Sequence, residues 1–297
     1  MRCDRCSRDA VISQRYSGLH LCEAHFRDTL VARAKGTIRA HGWIRPGDRI
    51  AIALSGGTGS SSLLHFLSVH FGMRRDLSLV AITVDEEAGS GRDMDRIERI
   101  AEGMGIEWAG TSFAEEFGIT RDGILASGNG NISSPCRGVL RGYALAALAE
   151  RLGATKLALG TNLDGEAGSV LRKVLKGEAA RLMGRPRLGN CRIPLVRPFL
   201  RIPEQEVALY ALLNVPGFVQ EVGPGTPNPR ENEIRWILAE YTNRHPAAPF
   251  SLVNLGETLS GMEERESREP YLCERCGEPC VPTCPARGIL DRVTGHG

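Results

Sequence analysis

Hydrophobic and polar positions along this chain alternate in blocks that predict strands and helices in turn. Short apolar runs of strand length stand at "RIAIAL" (49–54), "LSLVAITV" (77–84) and "TKLALG" (155–160). Other segments carry apolar residues at helical spacing, such as "SSLLHFLSVHF" (61–71) and "GVLRGYALAALAERLG" (138–153). Strands that alternate with helices are typical of a parallel sheet covered by helices on both faces. We therefore predict an α/β fold.

Each predicted strand ends in a loop of small or polar residues, namely "SGG", "VDE" and "GTNLDGE". In a parallel sheet, ligands bind at the carboxyl ends of the strands. We therefore expect Asp85, Asn162 and Asp164 to lie in one crevice, with Glu86 and Glu166 beside them. The alternative for Asp85 and Glu86 is that they are strand-end acids that cap the following loop.

The first of these loops has the features of a phosphate-binding loop. The stretch "SGGTGSSS" (55–62) lies between a predicted strand and a predicted helix. Glycines let backbone N–H groups approach an anion at a helix N-terminus. The loop carries no charged side chain, so we expect nucleotide binding more than catalysis. The predicted nucleotide-binding residues are Ser55, Gly56, Gly57, Ser60, Asp85 and Asn162.

Two groups of cysteines predict metal sites at the ends of the chain. The first has the pattern C-x2-C-x15-C-x2-H and consists of Cys3, Cys6, Cys22 and His25. The second has the pattern C-x2-C-x3-C-x3-C and consists of Cys273, Cys276, Cys280 and Cys284. Four closely spaced thiolate and imidazole ligands are typical of structural zinc. We expect two zinc sites that contribute to folding and not to catalysis.

These groups divide the chain into three predicted parts. We expect an N-terminal zinc-binding module at 1–27, an α/β core with a helical C-terminal part at 28–269, and a C-terminal zinc-binding module at 270–297. Grouped cysteines fit metal binding in a reducing cytoplasm better than disulfides. We expect neither a membrane-spanning helix nor a signal peptide.

Net charge is only +2, but its distribution along the chain is uneven. Nine basic residues lie between 172 and 201 against one acid, whereas the stretch 85–122 has eleven acids and four arginines. A polyanion prefers the first surface and avoids the second. The alternative is that these arginines are simply solvated.

The order of motifs resembles that of the TtuA-type tRNA 2-thiolation enzymes, which are two-zinc-finger relatives of the PP-loop ATP pyrophosphatases. The shared motifs are the cysteine-rich head, "SGG", "AITVDE", a cysteine before a basic helix, "LGTNLDGEA", "IPLVRPFLRIPEQEVALYA", "HPAAPFSL" and the cysteine-rich tail. The resemblance implies a PP-loop core, and ATP that adenylates the 2-oxygen of a tRNA uridine. It also implies sulfur delivered by a ubiquitin-like carrier, and in the family three cysteines hold an iron–sulfur cluster.

Several family residues are replaced in this chain. The family loop reads SGGKDS, so Thr58 occupies the position of its lysine and Gly59 the position of its aspartate. Cys136 is kept, but Ser133 replaces its partner cysteine and Val222 replaces the third. Leu140 replaces a lysine, and Gly165 replaces a second aspartate. Without a loop lysine and aspartate, phosphate charge and magnesium are poorly held. One thiol does not hold a four-iron cluster, so we expect none.

Cys136 and Asp164 are the predicted catalytic residues. Cys136 begins a predicted helix, whose dipole lowers a thiol pKa, and Arg137 and Arg141 favour a thiolate. The alternative is that Cys136 is a small buried hydrophobic residue. The basic segment 25–43 has two interpretations as well, a contact with tRNA phosphates or an ordinary connection between the zinc-binding head and the core, and the resemblance favours tRNA.

Three hypotheses for function follow. The first is a cytoplasmic, ATP-dependent tRNA sulfurtransferase that acts on tRNA, has no membrane partner and can form a homodimer. The second is a non-catalytic relative that binds tRNA or regulates an active thiolase. The third is a PP-loop enzyme that acts on a small molecule.

Overall fold

The computed structural model describes residues 1–86, 94–118, 134–178, 182, 193–218 and 229–261. Its strands, in chain order, are β1 (Ile12–Gln14), β2 (Leu19–Leu21), β3 (Arg49–Ala53), β4 (Ser78–Asp85), β5 (Glu107–Ser112), β6 (Lys156–Ala158) and β7 (Leu195–Val196). The first two pair as an antiparallel hairpin. The other five form one parallel sheet in the order β5-β4-β3-β6-β7.

Helices cover this sheet on both faces. They are α1 (Glu23–His41), α2 (Thr58–Phe71), α3 (Met94–Glu102), α4 (Phe113–Phe117), α5 (Ser134–Arg151), α6 (Leu163–Leu175), α7 (Glu204–Asn214), α8 (Pro229–Arg244) and α9 (Ala248–Gly261). No helix among the described residues has the length and apolar character that a membrane crossing requires.

Alternate residues of the central strand serve the two faces. Ile50 and Ile52 of β3 pack with the α1, α2 and α7 side of the core, which includes Phe66 and Tyr210. Ala51, between them, packs with the opposite side, which α4 and α5 cover. Since side chains alternate along a strand, a strand buried on both faces has a continuous apolar sequence. The predicted α/β fold, a parallel sheet with helices on both faces, is confirmed.

A buried carboxylate joins the N-terminal hairpin to the core. Glu206 of α7 is 1% exposed, and its Oε1 accepts hydrogen bonds from Gln14 Nε2 at 3.0 Å and from the Tyr16 hydroxyl at 2.6 Å. Arg33 of α1 donates to the Tyr16 oxygen at 2.6 Å, and its guanidinium lies 3.6 Å from Glu206 Oε2. Burial raises the pKa of Glu206, although Tyr16 and Arg33 oppose the shift. The hairpin, α1 and α7 therefore share one polar network.

The raised pKa of Glu206 predicts a pH-dependent contribution to stability. The folded state holds the proton more tightly than the unfolded state, so this contribution is present in acid and is lost as pH rises through the folded pKa. The Glu206→Gln variant keeps a carbonyl acceptor but does not titrate. Its free energy of unfolding, relative to wild type, should rise from mildly acidic to neutral pH in urea titrations. Glu204→Gln, on the exposed side of the same helix, is the control, and equal pH dependence of the two differences would contradict this prediction.

Candidate functional site

The loop that follows β3 is shaped by its own backbone and one serine. Gly56 has φ +76°, in the left-handed region that glycine favours. The Ser60 hydroxyl accepts a hydrogen bond from the Ser55 N–H and donates to the Gly57 carbonyl, both at 3.1 Å. The loop leads directly into α2, whose first-turn N–H groups have no acceptor within the helix. The arrangement is that of an anion site at a helix N-terminus.

The same loop lies at the point where the strand order reverses. β3 has β4 on one side and β6 on the other, so the loops after β3 and β6 diverge and leave a crevice between them. At its base the two backbones touch. A Cβ on Gly59 would lie 2.5 Å from the Gly160 carbonyl oxygen, and a Cβ on Gly160 would lie 2.5 Å from the Gly59 carbonyl oxygen. Neither position accepts a side chain without a backbone shift. This also applies to the aspartate that the family loop has at the position of Gly59.

Three polar residues that follow β6 fix the start of α6 and its contacts with the segments after β7. Asn162 caps α6, since its Oδ1 accepts from the Gly165 N–H at 2.8 Å. Asp164 Oδ2 accepts from the backbone N–H of Glu204, the first residue of α7, at 2.6 Å. Glu166 pairs with Arg197 at 2.9 Å, and Arg197 is only 9% exposed. The sequence did not reveal the contacts of Asp164 and Glu166, because their partners Glu204 and Arg197 lie more than 30 residues further along the chain, after β7.

The acids after β4 are placed at the same edge of the sheet. Asp85 is the last residue of β4. Glu86 is 2% exposed and pairs with Arg141, at 2.5 Å, and with Arg137, at 3.6 Å. We expected these two arginines to favour a Cys136 thiolate, but their guanidinium groups form ion pairs with Glu86. Cys136 itself lies in the first turn of α5, but its side chain is outside the described residues, as are Ser133 and Val222.

The predicted nucleotide-binding residues thus come together, at the carboxyl ends of the adjacent strands β4, β3 and β6. The roles of Ser55, Gly56, Gly57, Ser60, Asp85 and Asn162, and the catalytic roles of Cys136 and Asp164, stay predictions.

The N-terminal cysteines and histidine form a separate, four-ligand cluster. The ligand atoms of Cys3, Cys6, Cys22 and His25 all lie within 4.8 Å of one another. His25 Nδ1 lies 3.3 Å from Cys3 Sγ and 3.5 Å from Cys22 Sγ, and Cys6 Sγ lies 3.6 Å from Cys22 Sγ. A tetrahedral centre with bonds of about 2.0–2.3 Å separates its ligands by about 3.3–3.8 Å. The four residues fit one such centre.

The cluster also favours thiolates. Burial raises the pKa of the Cys3 thiol, but hydrogen bonds from the backbone of Cys22 and Arg5, and from His25, outweigh it and lower that pKa to about 6. Cys273, Cys276, Cys280 and Cys284 lie outside the described residues, so the second predicted site stays a prediction.

Comparisons with known proteins match nearly the whole chain. Residues 2–27 match the model "2-thiouridine synthetase TtuA, N-terminal LIM domain", and residues 28–237 match "PP-loop domain". The chain is 32% identical to the tRNA 2-thiolation protein NcsA of Haloferax volcanii, with 93% of this chain and 94% of that protein covered. It is 29% identical to the cytoplasmic tRNA 2-thiolation protein 1 of Drosophila erecta, with 96% and 87% covered.

A solved structure has the same fold. The U34-tRNA thiolase NcsA from Methanococcus maripaludis, with its [4Fe-4S] cluster, gives a TM-score of 0.78 at 23% identity and covers 95% of this chain and 94% of that one. Together with the family match, this confirms that the α/β core has the PP-loop fold.

The same structure corrects the expected cofactors. We expected zinc at both cysteine groups and no iron–sulfur cluster, and this is wrong, because that thiolase carries a [4Fe-4S] cluster. Thiolates bind zinc and iron–sulfur clusters alike, so cysteine spacing alone does not select the metal. That expectation depended on Cys136 being the one thiol kept from the family motif, and on Cys191 lying away from the two positions where the other cysteines are replaced.

The ligand cluster predicts that one substitution removes the metal. Cys6→Ser replaces a thiolate with a poor ligand, so the variant should lose the metal of this centre and unfold at lower temperature. Metal analysis by mass spectrometry and thermal unfolding, both on protein purified without oxygen, test this. Ser13→Ala, in β1 of the same hairpin, should keep both properties. Full metal content in Cys6→Ser would show that this residue is not a ligand.

The backbone contact predicts opposite effects of alanine at two helical glycines. A Cβ added to Gly36, in α1, would have no other atom within 4 Å. Gly36→Ala should therefore stabilise the fold by up to about 1 kcal/mol. Gly59→Ala places a Cβ against the Gly160 carbonyl and should cost about 1–3 kcal/mol. Urea unfolding gives both values. A Gly59→Ala variant as stable as wild type would show that α2 and Gly160 are not in this contact.

Proposed function

We propose that this chain, which belongs to the family of PP-loop tRNA 2-thiolation proteins, binds ATP at residues 55–60 and acts in the 2-thiolation of a tRNA uridine. The observation that carries the proposal is the position of this loop. It joins the central strand to the N-terminus of α2, beside the point where the strand order reverses. Parallel sheets bind nucleotides at this position.

Backbone dipoles supply most of the attraction for the ATP phosphates. The N–H groups of the first turn of α2 and the positive end of its dipole face the loop, and Ser60 holds the loop in shape. Thr58 and Gly59 bring no charge, so phosphate binding is weaker than in a loop with lysine and aspartate. When bound, ATP supplies the adenylyl group that activates the uridine oxygen, with pyrophosphate as the leaving group.

The basic surface beyond this site supports tRNA as the substrate. Arg172 and Lys173 lie in the last turn of α6, and Lys176 follows it in an exposed position. The N-terminus of α6 stands at the crevice, and these cations lie at the other end of the helix, about 14–20 Å away. Contacts to phosphates position an RNA without reading its sequence. The related proteins named as cytoplasmic support the cytoplasm as the place of action. A ubiquitin-like sulfur carrier and a homodimer remain predictions.

A second candidate is a non-catalytic relative that binds ATP and tRNA but does not adenylate the tRNA. The tight contact between Gly59 and Gly160 favours it, since the aspartate of the family loop does not fit there without a backbone shift. The hydrogen bond of Asp164 to the N–H of Glu204 favours it too, because a carboxylate that caps a helix is a weaker ligand for magnesium.

Release of AMP and pyrophosphate from ATP separates the two candidates. Protein purified without oxygen is incubated with ATP, magnesium and tRNA, and bound ATP, released AMP, iron and labile sulfide are measured together. Ser60→Ala removes the hydroxyl that holds the loop and should weaken ATP binding roughly tenfold. Ser68→Ala, on the same helix away from the loop, is the matched control.

Each outcome has one interpretation. AMP release that depends on Ser60 and yields 2-thiouridine in the tRNA identifies the sulfurtransferase. ATP binding that depends on Ser60 without AMP release identifies the non-catalytic relative. ATP binding that is equal in wild type and Ser60→Ala, or absent in both, overturns the assignment of the nucleotide site.

A further inference from the structure

A groove of about 640 Å³ lies between α1 and the end of α2, apart from the phosphate loop. One wall is a single face of α1, with Asp28, Ala32, Lys35 and Arg39 at helical spacing. The opposite wall is the last turn of α2 and the segment after it. The volume is in the range of ligand-binding clefts. None of the residues that line this groove belongs to the predicted nucleotide or metal sites.

Positive charge dominates the rim of the groove. Lys35, Arg39 and Arg74 carry permanent positive charges, and Asp28 is the single acid among the described residues that line it. Arg74 also pairs with Asp76. Helix dipoles explain part of this pattern, because Arg39 lies in the last turn of α1, where cations are favoured. They do not explain Lys35, which lies before that turn, or Arg74, which lies beyond α2.

The floor of the groove is apolar. Val31, Ile38, Ile44 and Phe71 line it. Phe71 is packed edge-on against Phe66 at 6.0 Å between ring centroids, so its position is fixed by the core. His70 stands beside it, and burial, assisted by the nearby charge of Lys35, lowers the pKa of its imidazole. A neutral imidazole both donates and accepts hydrogen bonds. Cations above an apolar and aromatic floor are the features of sites that bind unpaired nucleotides.

We propose that this groove binds an unpaired nucleotide of tRNA, with its base against the apolar floor and its flanking phosphates on Lys35, Arg39 and Arg74. The proposal rests on tRNA being the substrate. Charge favours RNA over an apolar peptide, which would leave the charges of Lys35 and Arg39 at the rim without a counter-charge. The groove lies at the far end of α2 from the phosphate loop, and a helix of 14 residues is about 21 Å long. It is therefore a second contact, which positions the tRNA away from the reacting uridine.

Binding of bulk tRNA to the full chain, measured by filter retention over a range of salt concentrations, tests the proposal. Lys35→Ala with Arg39→Ala should weaken binding roughly tenfold and reduce the salt slope by about one to two, since each phosphate contact releases counterions. Arg99→Ala with Arg244→Ala removes the same charge from exposed positions outside the groove and is the matched control. Ala32→Phe fills the groove without changing charge and should also weaken binding. ATP binding without tRNA should be the same in all variants.

The failure of this proposal is distinct from the failure of the proposed function. If wild type binds no tRNA, the proposed function itself is wrong, and the groove assignment falls with it. If wild type binds tRNA and the groove variants bind it as the control does, only the groove assignment is overturned. Groove variants that bind tRNA normally but lose thiolation when a sulfur-carrier protein is required would assign the groove to that protein, and this would also overturn the proposal.

Discussion

The crevice depends on one contact between two backbones, that of Gly59 with Gly160. Only residues without a side chain allow α2 to begin so close to the loop after β6, and this closeness sets the position of the loop at 55–60. Ser60 then fixes the loop, and Asp164 ties the next helix to α7. Each of these hydrogen bonds contributes about 1 kcal/mol. The packing of glycine backbones, and not charge, determines the shape of the site.

Most charged groups around the crevice are paired within the protein. Buried Glu86 pairs with Arg137 and Arg141, and buried Arg197 pairs with the half-buried Glu166. Burying one partner of such a pair costs desolvation free energy, so the net stability is small, but the pairs hold the ends of strands and helices in place. A ligand in the crevice therefore meets mainly backbone dipoles. The groove between α1 and α2 has the opposite character, with cations at its rim and an apolar floor.

The fold was predictable because its strands are buried on both faces and so have unbroken apolar sequences, as "RIAIAL" has. The rule that loops at the carboxyl ends of parallel strands converge placed the candidate residues after β3, β4 and β6 at one edge of the sheet. The Gly59 contact and the partners of Glu86 were not predictable, because they join positions far apart in the chain. The cofactor expectation was wrong because a thiolate ligand does not distinguish zinc from an iron–sulfur cluster.

The network around Glu206 has a consequence for the order in which the chain folds. Gln14 and its partner Glu206 are 192 residues apart. During synthesis the N-terminal hairpin leaves the ribosome first, yet it cannot dock until α7 has emerged. Contacts of such long sequence separation form late, because a long loop must close first. The cysteine cluster next to the hairpin can bind its metal before most of the core has been synthesised. The metal-bound hairpin can then be folded before α7 is available to dock against it.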